Sequence, residues 1–172
     1  MGLVSYIEKD QAAESVRPIY DNVAQKLGSM LNMFKALAHN PDLLQGFMAL
    51  NGAMSKSKLS PKLRELAYLR ASQINGCDYC QHYHTRSGQK AGLSESQIQA
   101  MGRPEPGSEF DELEWDILRF ADQVTRRARA DDELIARLKQ RLSDRELVEL
   151  TATVALANFT NRFNDTLRID LP

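Results

Sequence analysis

The chain has 172 residues, 42% of them hydrophobic and 26% charged, with a formal net charge of −1 and a pI near 6.3. That length suits one soluble globular domain, able to bury roughly 70% of its unfolded surface. The balanced charge gives no general pull toward nucleic acid, and no apolar run approaches the roughly 20 residues that span a bilayer.

The first ten residues, MGLVSYIEKD, lack a basic region followed by an apolar stretch, so no secretory signal is expected and the expected location is cytoplasmic. In that compartment a stable structural disulfide is unusual. Val16, Ile19, Tyr20, Val23 and Leu27 then follow helical spacing, with Pro18 confined to the first turn. Asn40-Pro41 and Ser60-Pro61 each read as an N-cap followed by proline at the first helical position. The first opens a stripe of Leu43, Leu44, Phe47, Leu50 and Met54, the second a stripe of Leu63, Leu66, Ala67 and Ile74.

Further along, Ser94 with Gln97 and Ser143 with Glu146 have the spacing of capping boxes. Between them Phe110, Leu113, Ile117, Phe120, Ala121, Val124 and Ala128 form the seam of one long helix, and a shorter helix after Asp131 turns Leu134 and Leu138 inward. Arg126, Arg127 and Arg129 lie among Asp122, Asp131, Asp132 and Glu133, the mixture of a solvated helix face. The longest irregular stretch is Gly102 to Ser108, with Pro104 and Pro106. The last helix is apolar almost all round from Val148 through Phe159, which predicts a central buried helix. Asn158, Asn161 and Asn164 recur along it, and buried amides need partners: caps and interhelix hydrogen bonds on the plainer account, the polar lining of a pocket on the other. No strand alternation is evident. The fold class is all-α, a single helical domain over residues 1–172.

The stretch NGCDYCQHYHT holds the only two cysteines. Asn75-Gly76 terminates one helix, which places Cys77 in the first turn of the next, with Cys77, Cys80 and His84 on a shared face. A thiol there meets unpaired backbone N–H groups and the positive end of the helix dipole, which draw its pKa down from about 8.5. Three uses are open to the pair. As a structural staple it is poor, because stabilisation grows with the length of the closed loop. As a zinc site Cys77, Cys80 and His84 supply three ligands where a closed site takes four, and His82 points about 200° away from Cys80 on the helix. As a redox dithiol the pair is complete, since helical i, i+3 spacing falls within the roughly 4.4–6.8 Å between Cα atoms that a disulfide tolerates. Glu65, in the middle of the preceding helix, packs beside the cysteine helix if the chain turns back at Asn75. There it could accept a proton and orient His84. The residue pattern alone slightly favours a plainer account, an exposed glutamate paired with Arg64 or Arg70.

Glu65, eleven residues, Cys77-Asp78-Tyr79-Cys80, three residues and His84 resemble the E-x11-C-x-x-C-x-x-x-H signature of the AhpD-like alkylhydroperoxidases, within the carboxymuconolactone decarboxylase superfamily. Residues 40–91 look like that family's core helices, and ELTATVALANFTNRFNDTL, within 144–167, is similar to the closing helix of its peroxidase-related branch. The resemblance implies an AhpD-like helical bundle with the cysteine pair at the N-terminus of a core helix. It implies that Cys80 attacks a small-molecule hydroperoxide, that Cys77 resolves the sulfenic acid as a disulfide, and that Glu65 and His84 relay protons. It further implies no bound cofactor or metal, an external dithiol as reductant (a lipoyl-bearing protein in the best-known members), and a homo-oligomer, trimeric or hexameric. Tyr79 departs from the pattern, since some members carry a histidine immediately before the second cysteine. That departure bears on peroxidase efficiency and leaves general disulfide reduction open. Two other functions compete: decarboxylation of a carboxymuconolactone, which makes no call on the cysteine pair, and a redox- or zinc-responsive binding module.

Overall fold

The computed structural model describes residues 2–102 and 109–171. Among the described residues every regular element is a helix. A single 3-10 turn (Glu14–Val16) leads into α1 (Arg17–Leu27), followed by α2 (Asn32–Leu37), α3 (Pro41–Met54), α4 (Pro61–Asn75), α5 (Asp78–Lys90), α6 (Glu95–Ala100), α7 (Glu112–Arg127), α8 (Asp132–Lys139) and α9 (Asp144–Leu167). The proline-containing stretch from Arg103 to Ser108 lies outside the described residues.

The helix starts follow from local chemistry. Asn40 and Ser60 side chains accept the backbone N–H groups of Leu43 and Leu63 at 3.1 and 3.3 Å, with Pro41 and Pro61 supplying a first turn that needs no donor. Ser94 and Gln97 cap α6 reciprocally at 3.1 and 3.2 Å, and Ser143 and Glu146 do the same for α9 at 3.3 and 2.9 Å. Asp111 and Glu114 make a third such box at the start of α7.

The chain forms two compact units, Met1–Lys56 with Asn164–Pro172 and Ser57–Phe163. In the first, Val16, Tyr20, Val23, Met33, Leu37 and Leu44 are buried, and the Phe34 and Phe47 rings pack at 5.8 Å. The two ends of the sequence meet there: the Leu3 N–H donates to the Leu167 carbonyl at 2.8 Å, and the Tyr6 hydroxyl to the Asp170 carboxylate at 3.0 Å.

The second unit is built on α4, which packs against both α5 and α7. Leu66, Leu69, Ile117, Leu138, Leu150 and Val154 are fully enclosed. Each side chain of that size contributes roughly 1.5–3 kcal/mol on burial. Ion pairs tie α7 to its neighbours, Arg70–Asp122 at 2.6 Å from α4 and Arg137–Asp116 at 3.0 Å from α8. The basic cluster reads as the sequence suggested, with Arg126 on Asp122 and Arg127 on Asp131. The Glu149 carboxylate gathers the N–H groups of Lys58 and Leu59 at 2.8 and 3.0 Å and the Ser57 hydroxyl at 2.7 Å, fixing the loop that enters α4. These donors hold its pKa down at about 2, with the Leu59 N–H the largest contributor.

One expectation fails on α9. The helix is buried on one side only: Leu150, Val154 and Ala157 are enclosed, whereas Val148 is 68% and Phe159 43% exposed. Hydrophobic composition around a helix does not say which stripe is covered, and here Thr153, Thr160 and Asn161 take inward positions that the apolar residues leave.

Candidate active site

The site begins with a turn. Helix α4 ends at Gly76, whose φ of +72° is a left-handed conformation that glycine adopts without strain. The Gly76 N–H donates to the Gln73 carbonyl at 3.2 Å and the Cys77 N–H to the Ser72 carbonyl at 3.0 Å, the two bonds of a Schellman motif. Because its N–H closes the preceding helix, Cys77 is extended (φ −80°, ψ 95°) and serves as the N-cap of α5, one position before the first turn in which the sequence had placed it. Cys80 is the third residue of α5. Both cysteines are buried.

The short connection makes α4 and α5 an antiparallel hairpin and carries Glu65 to the cysteine helix. His84 Nδ1 donates to Glu65 Oε2 at 2.7 Å, with both side chains about three-quarters covered. One turn on, a Cβ built on Gly88 would lie 3.8 Å from the Glu65 Cβ, so α5 comes close to α4 at this level. Of the two arginines in the plainer account, Arg70 is engaged by Asp122, and Glu65 takes the histidine. With Nδ1 engaged by the carboxylate, Nε2 is the ring nitrogen that Glu65 leaves unoccupied. His82 faces elsewhere, its ring edge-on to Tyr83 at 5.1 Å.

Tyr68 holds the other side of His84. The two rings stack with centroids 3.5 Å apart and planes inclined by 15°, so the imidazole is fixed by its face as well as its edge. The Tyr68 hydroxyl makes a short hydrogen bond with Thr160 Oγ1, which lies 4.0 Å from Cys80 Sγ. Burial raises the Tyr68 pKa far above its ordinary value, and the nearby Cys80 adds to the rise.

A part-buried amide cluster braces the turn. Asn75 donates to the side-chain oxygens of Asn158 and Asn161 at 3.0 and 2.8 Å, Asn161 donates to Ser72 Oγ at 3.0 Å, and Asn158 to Thr125 Oγ1 at 3.1 Å. For Asn158 and Asn161 the repeated asparagines are therefore interhelix hydrogen bonds, the plainer of the two accounts.

The structure thus brings Glu65 and His84 together and places Cys77 and Cys80 at the head of the helix that carries His84. Tyr68 and Thr160 are additions to the residues read from the sequence. Tyr68 lies three residues past Glu65 and four before Ser72, on one helical face with them, whereas nothing in spacing marks Thr160. Among the described residues no group of three or more His, Cys, Asp or Glu side chains is placed to hold a metal ion, and no helix is long and apolar enough to cross a membrane.

The model of the carboxymuconolactone decarboxylase family matches residues 41–123. A solved protein of unknown function from Agrobacterium tumefaciens, assigned provisionally to AhpD antioxidant defence, is 32% identical, with 78% of this chain and 93% of that one aligned at a TM-score of 0.72. An uncharacterised peroxidase-related protein from Silicibacter sp. TM1040 has the same fold over 98% of this chain and 91% of its own, at a TM-score of 0.85 and 22% identity. So does the debrominase Bmp8, solved as a cysteine-to-alanine variant with 2,3,4-tribromopyrrole, over 100% of this chain and 92% of its own at a TM-score of 0.85 and 22% identity. With its Glu65, Cys77, Cys80 and His84 in the family's signature spacing, the chain belongs to the AhpD-like carboxymuconolactone decarboxylase superfamily.

Proposed function

We propose that this protein is a thiol-dependent hydroperoxidase or dithiol–disulfide oxidoreductase that works through Cys77 and Cys80. At the level of the family, the fold supports an antioxidant or peroxidase-related role. The observation that carries the finer reading is the 2.7 Å contact between Glu65 and His84, a carboxylate-oriented base on the helix that begins with the cysteine pair.

In this reading His84 Nε2 takes the proton of Cys80, and Glu65 stabilises the imidazolium that results. The Cys80 thiolate attacks the distal oxygen of a hydroperoxide and the O–O bond breaks. The proton held on His84 passes to the departing alkoxide, giving an alcohol and a Cys80 sulfenic acid. The Cys77 thiol then displaces hydroxide from that sulfur, releasing water and forming the Cys77–Cys80 disulfide. Two electrons from an external dithiol, a lipoyl-bearing protein being the family precedent, return the pair to thiols. Burial of both sulfurs favours this internal condensation over attack by a second peroxide. Tyr79 stands where some relatives have a histidine, so proton transfer in this protein rests on His84 and Glu65. The reading carries with it a homo-oligomer, trimeric or hexameric.

The debrominase on the same fold, solved with 2,3,4-tribromopyrrole, points to a second class of substrate for this chain, a halogenated aromatic. Trapping distinguishes the readings. In Cys77→Ser the sulfenic acid has no internal partner, and dimedone should label Cys80 after cumene hydroperoxide but not after a bromopyrrole. A decarboxylase would keep its activity when both cysteines are changed to serine.

A further inference from the structure

Thr160 sits at a junction. Its hydroxyl oxygen lies 3.0 Å from the Ala157 carbonyl and 3.1 Å from the Leu156 carbonyl, makes a short bond with the Tyr68 hydroxyl, and is 4.0 Å from Cys80 Sγ. A hydroxyl has one hydrogen to give and two sites that accept. With Cys80 as a thiol all three are used: the hydrogen goes back to a carbonyl of the preceding turn, and the oxygen accepts from Tyr68 and from the S–H.

A thiolate changes the count, because it can only accept. The Thr160 hydrogen then gains by turning from its own helix to the sulfur. What it leaves is a back-bond that threonine makes in helices at no benefit to the helix. Tyr68 continues to donate to Thr160, since its phenol stays neutral at working pH. Phenol, threonine hydroxyl and sulfur become a chain of donors pointing one way, each polarising the next.

Resting on the thiol chemistry proposed above, we infer that Thr160 is a positioning residue for Cys80, a hydroxyl that accepts from its thiol, turns to donate to its thiolate, and is held in register by Tyr68. The Glu65–His84 pair moves the proton, and the Thr160–Tyr68 pair stabilises the charge left behind. The ionisable groups linked to Cys80 through Tyr68 and Thr160 are Cys77 at the N-cap of α5, His84 on α5, and Tyr68 and Glu65 on α4, and from α9 the facing group is Thr160. A hydrogen bond given to the charged form favours that form, so loss of the hydroxyl should disfavour the thiolate.

The test measures iodoacetamide alkylation of Cys80 against pH in a Cys77→Ser background, where Cys80 is the one remaining cysteine. Thr160→Val keeps the shape and removes the hydroxyl. It should move the midpoint up by about one pH unit and slow alkylation near neutrality roughly tenfold, and Thr160→Ser should restore both. Tyr68→Phe, which keeps the ring stacked on His84, should move the midpoint the same way by less, and it decides the matter if Thr160→Val does not fold. A Thr160→Val profile that overlays its parent, a serine that fails to rescue, or an unmoved Tyr68→Phe profile overturns the inference. No peroxide enters this measurement. Thiols that ignore hydroperoxide would therefore end the peroxidase reading while leaving the Thr160 shift standing.

Discussion

Glu65 and His84, nineteen residues apart in sequence, meet at 2.7 Å because Gly76 folds α4 and α5 into a hairpin. The pair is partly exposed, so its contribution to stability is small, on the order of 1 kcal/mol or less. Its contribution to chemistry should be much larger. His84→Gln should slow peroxide-driven thiol loss by about a hundredfold or more, and Glu65→Gln by about tenfold to a hundredfold, the range of general acid–base catalysis. Calorimetry should find both variants within a few degrees of wild type. Parallel losses of stability and rate would make the pair a structural tie instead.

Glu149 gives a pH dependence with a definite sign. Its carboxyl is held at about 2 in the fold against an ordinary 4.5. It therefore contributes stability that is fully present above about pH 4.5 and is lost as pH falls through about 2. Glu149→Gln should abolish that part of the acid sensitivity and lower stability at neutral pH. Urea titrations of the two proteins between about pH 2 and 6 should converge toward the acid end, and parallel curves would contradict the assignment.

Asn161 is completely buried and bonds Asn75 and Ser72. Asn161→Ala removes one hydrogen bond from each partner and opens a small cavity, at a cost of about 2–3 kcal/mol. In a chain of this length that corresponds to a fall in Tm of about 4–10 °C. An unchanged Tm would mean that the amide cluster is not fully formed in solution.

Gly76 separates strain from crowding. A Cβ there would meet nothing within 4 Å, so Gly76→Ala should cost only the left-handed backbone, about 1 kcal/mol. Gly76→Asn should cost less, because asparagine tolerates that conformation better. A loss of several kcal/mol in denaturant unfolding would point to a close contact at this turn.

Much of this was legible in the sequence because it is written in local chemistry. Asn40-Pro41, Ser60-Pro61 and the Ser94/Gln97 box each place a helix start through bonds between residues three apart. The redox reading of Cys77 and Cys80 rested on their own helical spacing and the relay role of Glu65 on a family spacing, whereas the meeting of Glu65 with His84 is a finding of the structure. What stayed hidden depends on contacts across helices. Tyr68 and Thr160 are ninety-two residues apart, and no periodicity joins them. The exposure of Val148 and Phe159 likewise follows from which side of α9 its neighbours cover, a fact about packing that composition does not contain. Cys77 fell one residue outside its helix because the Schellman turn claims its N–H.

The most direct test of the central claim is single-turnover oxidation of the reduced protein by cumene hydroperoxide, followed by thiol counting and intact mass. The account predicts loss of two thiols per chain with a mass change of about minus two as the disulfide forms, slowed about a hundredfold in His84→Gln and abolished in Cys80→Ser. Thiols that persist for an hour at millimolar hydroperoxide, or oxidation that proceeds unchanged in Cys80→Ser, would contradict it.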